Sequence, residues 1–347
     1  MKKDPGKQLN IRQIAELCGI SIATVSRAMN HPGRVSKKTQ EKIDKVIKEY
    51  GYVPNELAKQ LISKKTKTIA LFTYDIVNPY FAHIIQYVNT LAFDHDYMLI
   101  ICDSHQSIER EEKYLQYLMG IRISGILFTE GKLHTRVSDV ARRVPCVSID
   151  RKFEVDGQGI PRVTSDNHAG GVMATEYLLS LGHKRIGFCG LQDVSTSEER
   201  YRGYVDAMKK NGAEVDEKLT FRSGEMNTVF GRDAVDYYMG LVERPTALLC
   251  SNDLIAEGII RGAEEKNVSI PEELSVVGFD GLLSVPFGKT LTTIKQDVEG
   301  IAKNALDKLL LQIDGKEETD GDIILPVRLV KGDTVAACKQ EVNVNLE

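Results

Sequence analysis

Apolar residues recur at helical spacing through the first fifty positions and in short unbroken runs through most of the remainder. Ile11, Ile14, Ala15 and Cys18 fall on one face of a helix that Asn10 can cap and Gly19 can end, since glycine enters positive φ at least cost. Ser21 then caps a second helix from Ile22 to Asn30, with Val25, Ala28 and Met29 on its inner face. Ser36 caps a third, whose apolar stripe is Ile43, Val46, Ile47 and Tyr50. Its outer face carries Lys37, Lys38, Lys42, Lys45 and Lys48. Ala15, Gly19 and Val25 supply a small residue for close approach, a turn and an aliphatic lock, which is the spacing of a helix-turn-helix.

From Thr68 onward the pattern changes. Runs at 69–72, 98–101, 125–128 and 144–149 are separated by amphipathic segments of helix length, and the pattern restarts at 185–188, 247–250 and 275–279. Short continuous apolar runs with helices between them predict parallel sheets covered on both faces. The restart predicts two similar Rossmann-like α/β lobes. Ligands of such sheets sit beyond the strand carboxyl ends, which directs attention to the polar residues there. Asp75 and Asn78-Pro79-Tyr80-Phe81 follow the first run, Asp150-Arg151 the fourth and Asn252-Asp253 the sixth. Asp280 ends VVGFD and Gln296 ends TTIKQ; Asp253 reads as a helix N-cap.

The 347 residues allow two or three domains at about 150 residues each, and with 42% hydrophobic and 27% charged residues the chain can bury cores. No apolar run approaches the roughly 18 residues that span a bilayer, and no apolar stretch or cleavage site follows the basic N-terminus. A soluble cytoplasmic protein is expected. The six cysteines are far apart, with no C-x-x-C and no Cys/His ligand spacing, which predicts reduced, mostly buried thiols and no metal site. Charge is uneven: residues 1–67 carry fifteen Lys and Arg against six Asp and Glu (+9), the other 280 carry 30 against 43 (−13). A basic head that meets a polyanion, joined to an acidic body, is implied.

NIRQIAELCGISIATVSRAMN, followed by RVSKKTQEKIDKVIKEYGYVPNELAKQL, resembles the DNA-binding head and hinge of the lactose-repressor (LacI/GalR) family over about 60 residues. The resemblance implies that the second helix enters the major groove, with Ile22, Ala23 and Arg27 at base-reading positions. Arg27 suits guanine O6/N7, while Ile22 and Ala23 offer apolar contact, for example to thymine methyls. Thr24, Ser26, Asn30 and Arg34 are expected on phosphate or sugar. The segment from Pro54 is too short for a stable isolated helix. By resemblance it folds on DNA as a hinge helix, with Asn55 and Ala58 against the minor groove and Leu61 wedged into a base step. Ile62 stands where a basic residue is common, and Ser63-Lys64-Lys65 follows.

The resemblance continues to about residue 335 as a periplasmic-binding-protein-like core. It implies an effector cleft containing Asp75, Asn78, Phe81, Asp150, Arg151, Asn252, Asp280 and Gln296, together with Arg200 of the E-R-x-x-G turn. Carboxylates, amides and guanidinium groups suit sugar hydroxyls, and the set is similar to that of ribose-binding relatives. A turn that often supplies a stacking aromatic reads Gly224-Glu225-Met226-Asn227, which disfavours a flat ligand stacked there. The expected organisation is a helix-turn-helix domain at 1–53, hinge and linker at 54–66, a two-lobed core at 67–340 and a tail at 341–347. The first lobe takes about 67–165 and 295–323, the second about 166–294 and 324–340.

Catalytic motifs are missing. H-E-x-x-H and G-x-S-x-G do not occur, Gly288-Lys289-Thr290 lacks the first glycine of a P-loop, and Asp94-His95-Asp96 reads as a solvated turn. Neither an enzyme nor a cofactor is expected. The expectation is a homodimeric repressor of carbohydrate uptake or catabolism genes that binds pseudo-palindromic operator DNA and responds to a small sugar. The alternatives are a corepressor-dependent regulator sensing a nucleobase or phosphorylated sugar, and a sugar-processing enzyme. The C-terminus from Gln340 has no leucine heptads for a tetramerising coiled coil.

Overall fold

The computed structural model describes residues 9–31, 33–52, 66–105, 107–129, 134–155, 158–223, 227–282, 288–316 and 321–339. The chain forms two compact units, 1–66 and 67–347. The first contains α1 (Ile11–Cys18), α2 (Ile22–Asn30) and α3 (Lys37–Tyr50). Each helix starts on its expected cap. Asn10 accepts from the Gln13 amide while Gln13 accepts from the Asn10 amide, and Ser21 and Ser36 accept from the amides of Thr24 and Thr39. Gly19 ends α1 at φ 59°. Ile14, Ala15, Cys18, Val25, Ala28 and Ile43 form the sealed core, with Met29, Val46 and Ile47 at its edge. Tyr50 is not part of it. Gly51, at φ 60°, turns the chain so that the Tyr52 amide donates to Ile47 (3.1 Å) and the Tyr52 ring packs there instead.

The second unit runs β1 (Thr68–Thr73), α4 (Pro79–Asp94), β2 (Met98–Asp103), α5 (Ile108–Gly120), β3 (Gly125–Phe128), α6 (His134–Ala141) and β4 (Cys146–Ile149). A hairpin, β5 (Glu154–Val155) and β6 (Gln158–Gly159), precedes β7 (Arg162–Ser165). Then come α7 (Asn167–Ser180), β8 (Ile186–Leu191), α8 (Ser195–Lys210), β9 (Thr220–Ser223), α9 (Thr228–Met239) and β10 (Ala247–Cys250). The unit ends with α10 (Asp253–Glu265), β11 (Ser275–Asp280), β12 (Thr292–Lys295), α11 (Val298–Ile313), β13 (Ile323–Leu325) and β14 (Arg328–Val330).

Two six-stranded sheets result, ordered β13-β7-β4-β3-β1-β2 and β14-β12-β11-β10-β8-β9. Among the described residues the strands of the first pair in parallel throughout; in the second only β14 runs antiparallel. Burial on both faces explains the unbroken apolar runs. Ile69 and Leu71 pack into one layer with α4 and α11, while Ala70 and Phe72 pack into the opposite layer with α5. The second sheet repeats this, Leu248 and Cys250 facing one layer and Ala247 and Leu249 the other.

The chain passes between the lobes three times, after β7, after β12 and after β13. The second and third passages fall slightly later than the sequence implied, because β12 extends to Lys295 and β13 to Leu325, where Pro326 lacks the N–H to continue. For the same reason β4 starts at Cys146, after Pro145, and not at Val144. Asp94, His95 and Asp96 lie exposed at the end of α4. No helix among the described residues is long and apolar enough to cross a membrane.

Candidate functional site

In the head, Val25 and Ala28 point into the core, and helical geometry then turns Ile22, Ala23 and Arg27 outward. All three are exposed. Ile22 is 41% exposed at the first turn of α2, a large apolar side chain outside the head's core cluster. Thr24 is half-buried, and its hydroxyl lies 2.8 Å from Ser21 Oγ within the cap. Ser26 is half-buried, and Arg34 is exposed in the α2–α3 connection beside exposed lysines on α3. The Asn30 side chain, and all of Asn55, Ala58 and Leu61, lie outside the described residues.

In the second unit, buried polar side chains converge where the carboxyl ends of both sheets meet. They surround a cavity of about 40 Å³. Asn78, Phe81, Asp150, Arg151, Arg200, Asn252, Asp280 and Gln296 line it, joined by Tyr80, Thr129, Ser197 and Ser251. Two larger hollows, about 330 Å³ between α5 and α6 and about 920 Å³ at the opposite end of the second sheet, lack such convergence. Asp75 does not line the cavity. Its carboxylate accepts from the Val77 amide (2.9 Å) and closes a local turn.

Asn78 and Asn252 cap α4 and α10, accepting from the amides of Tyr80 (3.0 Å) and Ile255 (2.8 Å). Asp253 is therefore not the cap that the sequence suggested. It is fully buried and accepts from the Gly281 and Leu282 amides and from the Thr293 hydroxyl, which braces the β11 end where Asp280 sits at φ 127°.

Arg200 reaches the cavity because Gly171 and Gly203 let α7 and α8 touch. A Cβ on either would come 2.2 Å from a carbonyl of the other helix. The guanidinium lies 3.6 Å over the Phe279 ring, donates to Asn167 Oδ1 (2.8 Å) and to the Ser251 carbonyl, and stands 3.8 Å from Asp280. Gln296 donates to Asp280 (2.7 Å) while its own oxygen is buried without a partner. On the first lobe, Asp150 accepts from the Tyr80 hydroxyl (2.6 Å) and the Thr164 hydroxyl (3.0 Å).

Burial governs the charges. It pushes Asp280 up to about 8, opposed by Arg200 and reinforced by Asp253. It raises Asp150 against the lowering influence of Tyr80, Arg200 and Thr164, raises the Tyr80 phenol, and lowers Arg200 against Asp280 and Asp150. Every shift favours the uncharged form. The lining offers fixed donors and acceptors with an aromatic wall, and no histidine or cysteine that could pair with a nucleophile or base. Sequence reasoning missed Tyr80, Thr164 and Asn167. The first stands beside Phe81 in the run after the first strand, whereas Thr164 lies within, and Asn167 just after, a strand too short and too polar at its start to stand out.

Residues 10–55 match the family described as bacterial regulatory proteins, lacI family, and residues 175–335 match the periplasmic binding protein-like domain. The HTH-type transcriptional repressor PurR of Vibrio atlanticus is 30% identical over 330 residues, covering 94% of this chain and 98% of the relative. The structure of a Lac repressor dimer bound to operator and an anti-inducer aligns at a TM-score of 0.84 and 27% identity, over 95% of this chain and all of that one. A complex of the transcriptional regulator CelR with cellobiose aligns at 0.70 and 26% identity, over 94% of this chain and all of that one. The likeness to these repressors runs along nearly the whole length, and the chain belongs to the LacI family of bacterial transcriptional regulators.

Proposed function

We propose that the protein is a cytoplasmic homodimeric repressor that reads a pseudo-palindromic operator through Ile22, Ala23 and Arg27 and loses or gains affinity when a small uncharged sugar enters the cleft. The observation that carries this is the pairing of an exposed apolar and cationic face on α2 with a buried, convergent polar cluster between two lobes. The Lac repressor complex supports operator binding by a dimer, and the CelR complex supports a sugar. Thr24, Ser26, Asn30 and Arg34 serve phosphate and sugar contacts, and Asn55, Ala58 and Leu61 the minor groove. The open edge of β2, with Met98 66%, Ile101 44% and nearby Phe93 74% exposed, is a surface a second copy would cover.

An uncharged ligand is favoured over a phosphorylated one because Arg200, the buried guanidinium of the lining, is already engaged by Asn167, Ser251 and Asp280. Burial resists further charge there. At about 40 Å³ the cavity is also well below the ~300 Å³ typical of small-molecule sites, so entry requires the lobes to part. A ligand that fits one lobe separation better than another shifts that equilibrium, and with it the operator affinity.

The test is operator selection from randomised duplex with the full chain, followed by titration with D-ribose, cellobiose, D-ribose 5-phosphate and hypoxanthine. A selected palindrome whose affinity changes with a neutral sugar is expected. A change with ribose 5-phosphate or hypoxanthine alone would replace the effector assignment and leave DNA binding standing.

A further inference from the structure

The two walls of the cleft are joined around the back as well as facing each other across the gap. Arg200 Nε donates to Asn167 Oδ1 (2.8 Å), Asn167 Nδ2 donates to Thr164 Oγ1 (3.2 Å), and Thr164 Oγ1 donates to Asp150 Oδ1 (3.0 Å). All four residues are less than a tenth exposed. The donors all point the same way, from guanidinium to carboxylate. The dipoles of the two neutral side chains therefore add, and each bond polarises the next.

A second hydrogen on Asn167 Nδ2 is held by the Ser165 carbonyl (3.0 Å), which fixes the amide orientation. The Thr164 proton has a choice between Asp150 at 3.0 Å and the Ser165 carbonyl at 3.4 Å, and the nearer acceptor takes it. The acidic end is braced as well. Arg162 donates to the Asp150 carbonyl (3.4 Å) and holds Asp322 with Nε (2.9 Å) and with its other nitrogen (2.7 Å).

This chain of bonds crosses between the lobes at residue 166, the first of the three passages. Neither Thr164 nor Asn167 lines the cavity. We infer that they are positioning residues of the cleft: they hold Asp150 of the first lobe and Arg200 of the second in one register, so that a molecule engaging either group alters the other through the hinge. The purpose rests on the effector reading above; the linkage itself does not.

A test needs no effector. In the full chain carrying aspartate labelled with ¹³C at the carboxyl carbon, the Asp150 resonance, assigned with Asp150→Asn, is titrated against pH. Tyr80, Arg151, Arg200 and Asp280, the ionisable groups acting on Asp150, stay in place. Thr164→Val has nearly the same shape but no donor, and should raise the Asp150 midpoint by about one pH unit; Thr164→Ser should restore it. Asn167→Ala, which touches no part of Asp150, should raise it by a smaller amount, with Asn167→Ser as the variant to use should alanine not fold. An Asp150 midpoint that moves with Thr164 and is indifferent to Asn167 would overturn the relay. Loss of sugar response with the relay intact would count against the effector reading alone.

Discussion

The head and the core keep their proposed functional groups in opposite places. In the head, Ile22, Ala23 and Arg27 stand in solvent and six small or aliphatic side chains beneath them do the folding. In the core, the groups that would meet a ligand are themselves buried, at 7% exposure for Asp150, 6% for Arg200 and 8% for Asp280, and they bond one another. Function and stability are separable in the first unit and entangled in the second. The expected mutational consequences diverge accordingly.

The largest effect belongs to the core. Arg200→Met removes the cation beside Asp150 and Asp280 and leaves the buried Asn167 and Ser251 carbonyl oxygens without their donor, which should cost about 2–4 kcal/mol of core stability in urea unfolding. Head unfolding, followed separately, should be unchanged. A core that loses less than about 1 kcal/mol would mean that its cluster is as dispensable as an exposed pair.

Next comes a pH effect confined to the core. Burial holds the Asp280 pKa near 8, against an ordinary value of 3.8, so between those limits the folded state keeps a proton that the unfolded chain releases. Core stability should therefore fall as pH rises from about 4 to 8 and level off above. Asp280→Asn cannot ionise and should flatten that fall, read as thermal midpoints at several pH values. Parallel curves for the two proteins would remove Asp280 as the titrating group.

Arg27→Ala reverses the pattern. Its exposed side chain supports nothing in the head, so unfolding should not change, while operator affinity drops by about 1–3 kcal/mol and preference relaxes at one base pair per half-site. An unchanged consensus in binding-site selection would make Arg27 a phosphate contact. Smallest is Gly19→Ala, where no atom lies within 4 Å of the new Cβ and only the φ of 59° is opposed. The head should lose about 1–2 kcal/mol by thermal denaturation.

The same contrast explains what could be read in advance. Head elements are set by contacts three or four residues apart, so Asn10, Gly19, Ser21 and Ser36 announce their helices in the sequence. Tyr50 misled because helical spacing continues past the point where Gly51 turns the chain. In the core, the strand-end rule reached Asn78, Asp150, Asn252 and Asp280, since each stands at or beyond the carboxyl end of a strand and lines the cavity. It also drew in Asp75, whose carboxylate is consumed by a turn two residues away. Tyr80 falls inside the strand-end run but nothing there marks it as a partner of Asp150, and Thr164 and Asn167 are beyond the rule's reach. Their role depends on partners as distant as 70 residues for Tyr80–Asp150 and 33 for Asn167–Arg200, and no periodicity encodes such pairs.

Crossing the two regions in a single titration tests the account most directly. Operator affinity is measured by fluorescence anisotropy, with and without saturating neutral sugar, for the wild type, Arg27→Ala and Asp280→Asn. Arg27→Ala should weaken binding in both conditions and leave their ratio at the wild-type value, whereas Asp280→Asn should bring that ratio close to one. A ratio altered by Arg27→Ala, or preserved in Asp280→Asn, would contradict the assignment of reading to the head and sensing to the buried cleft.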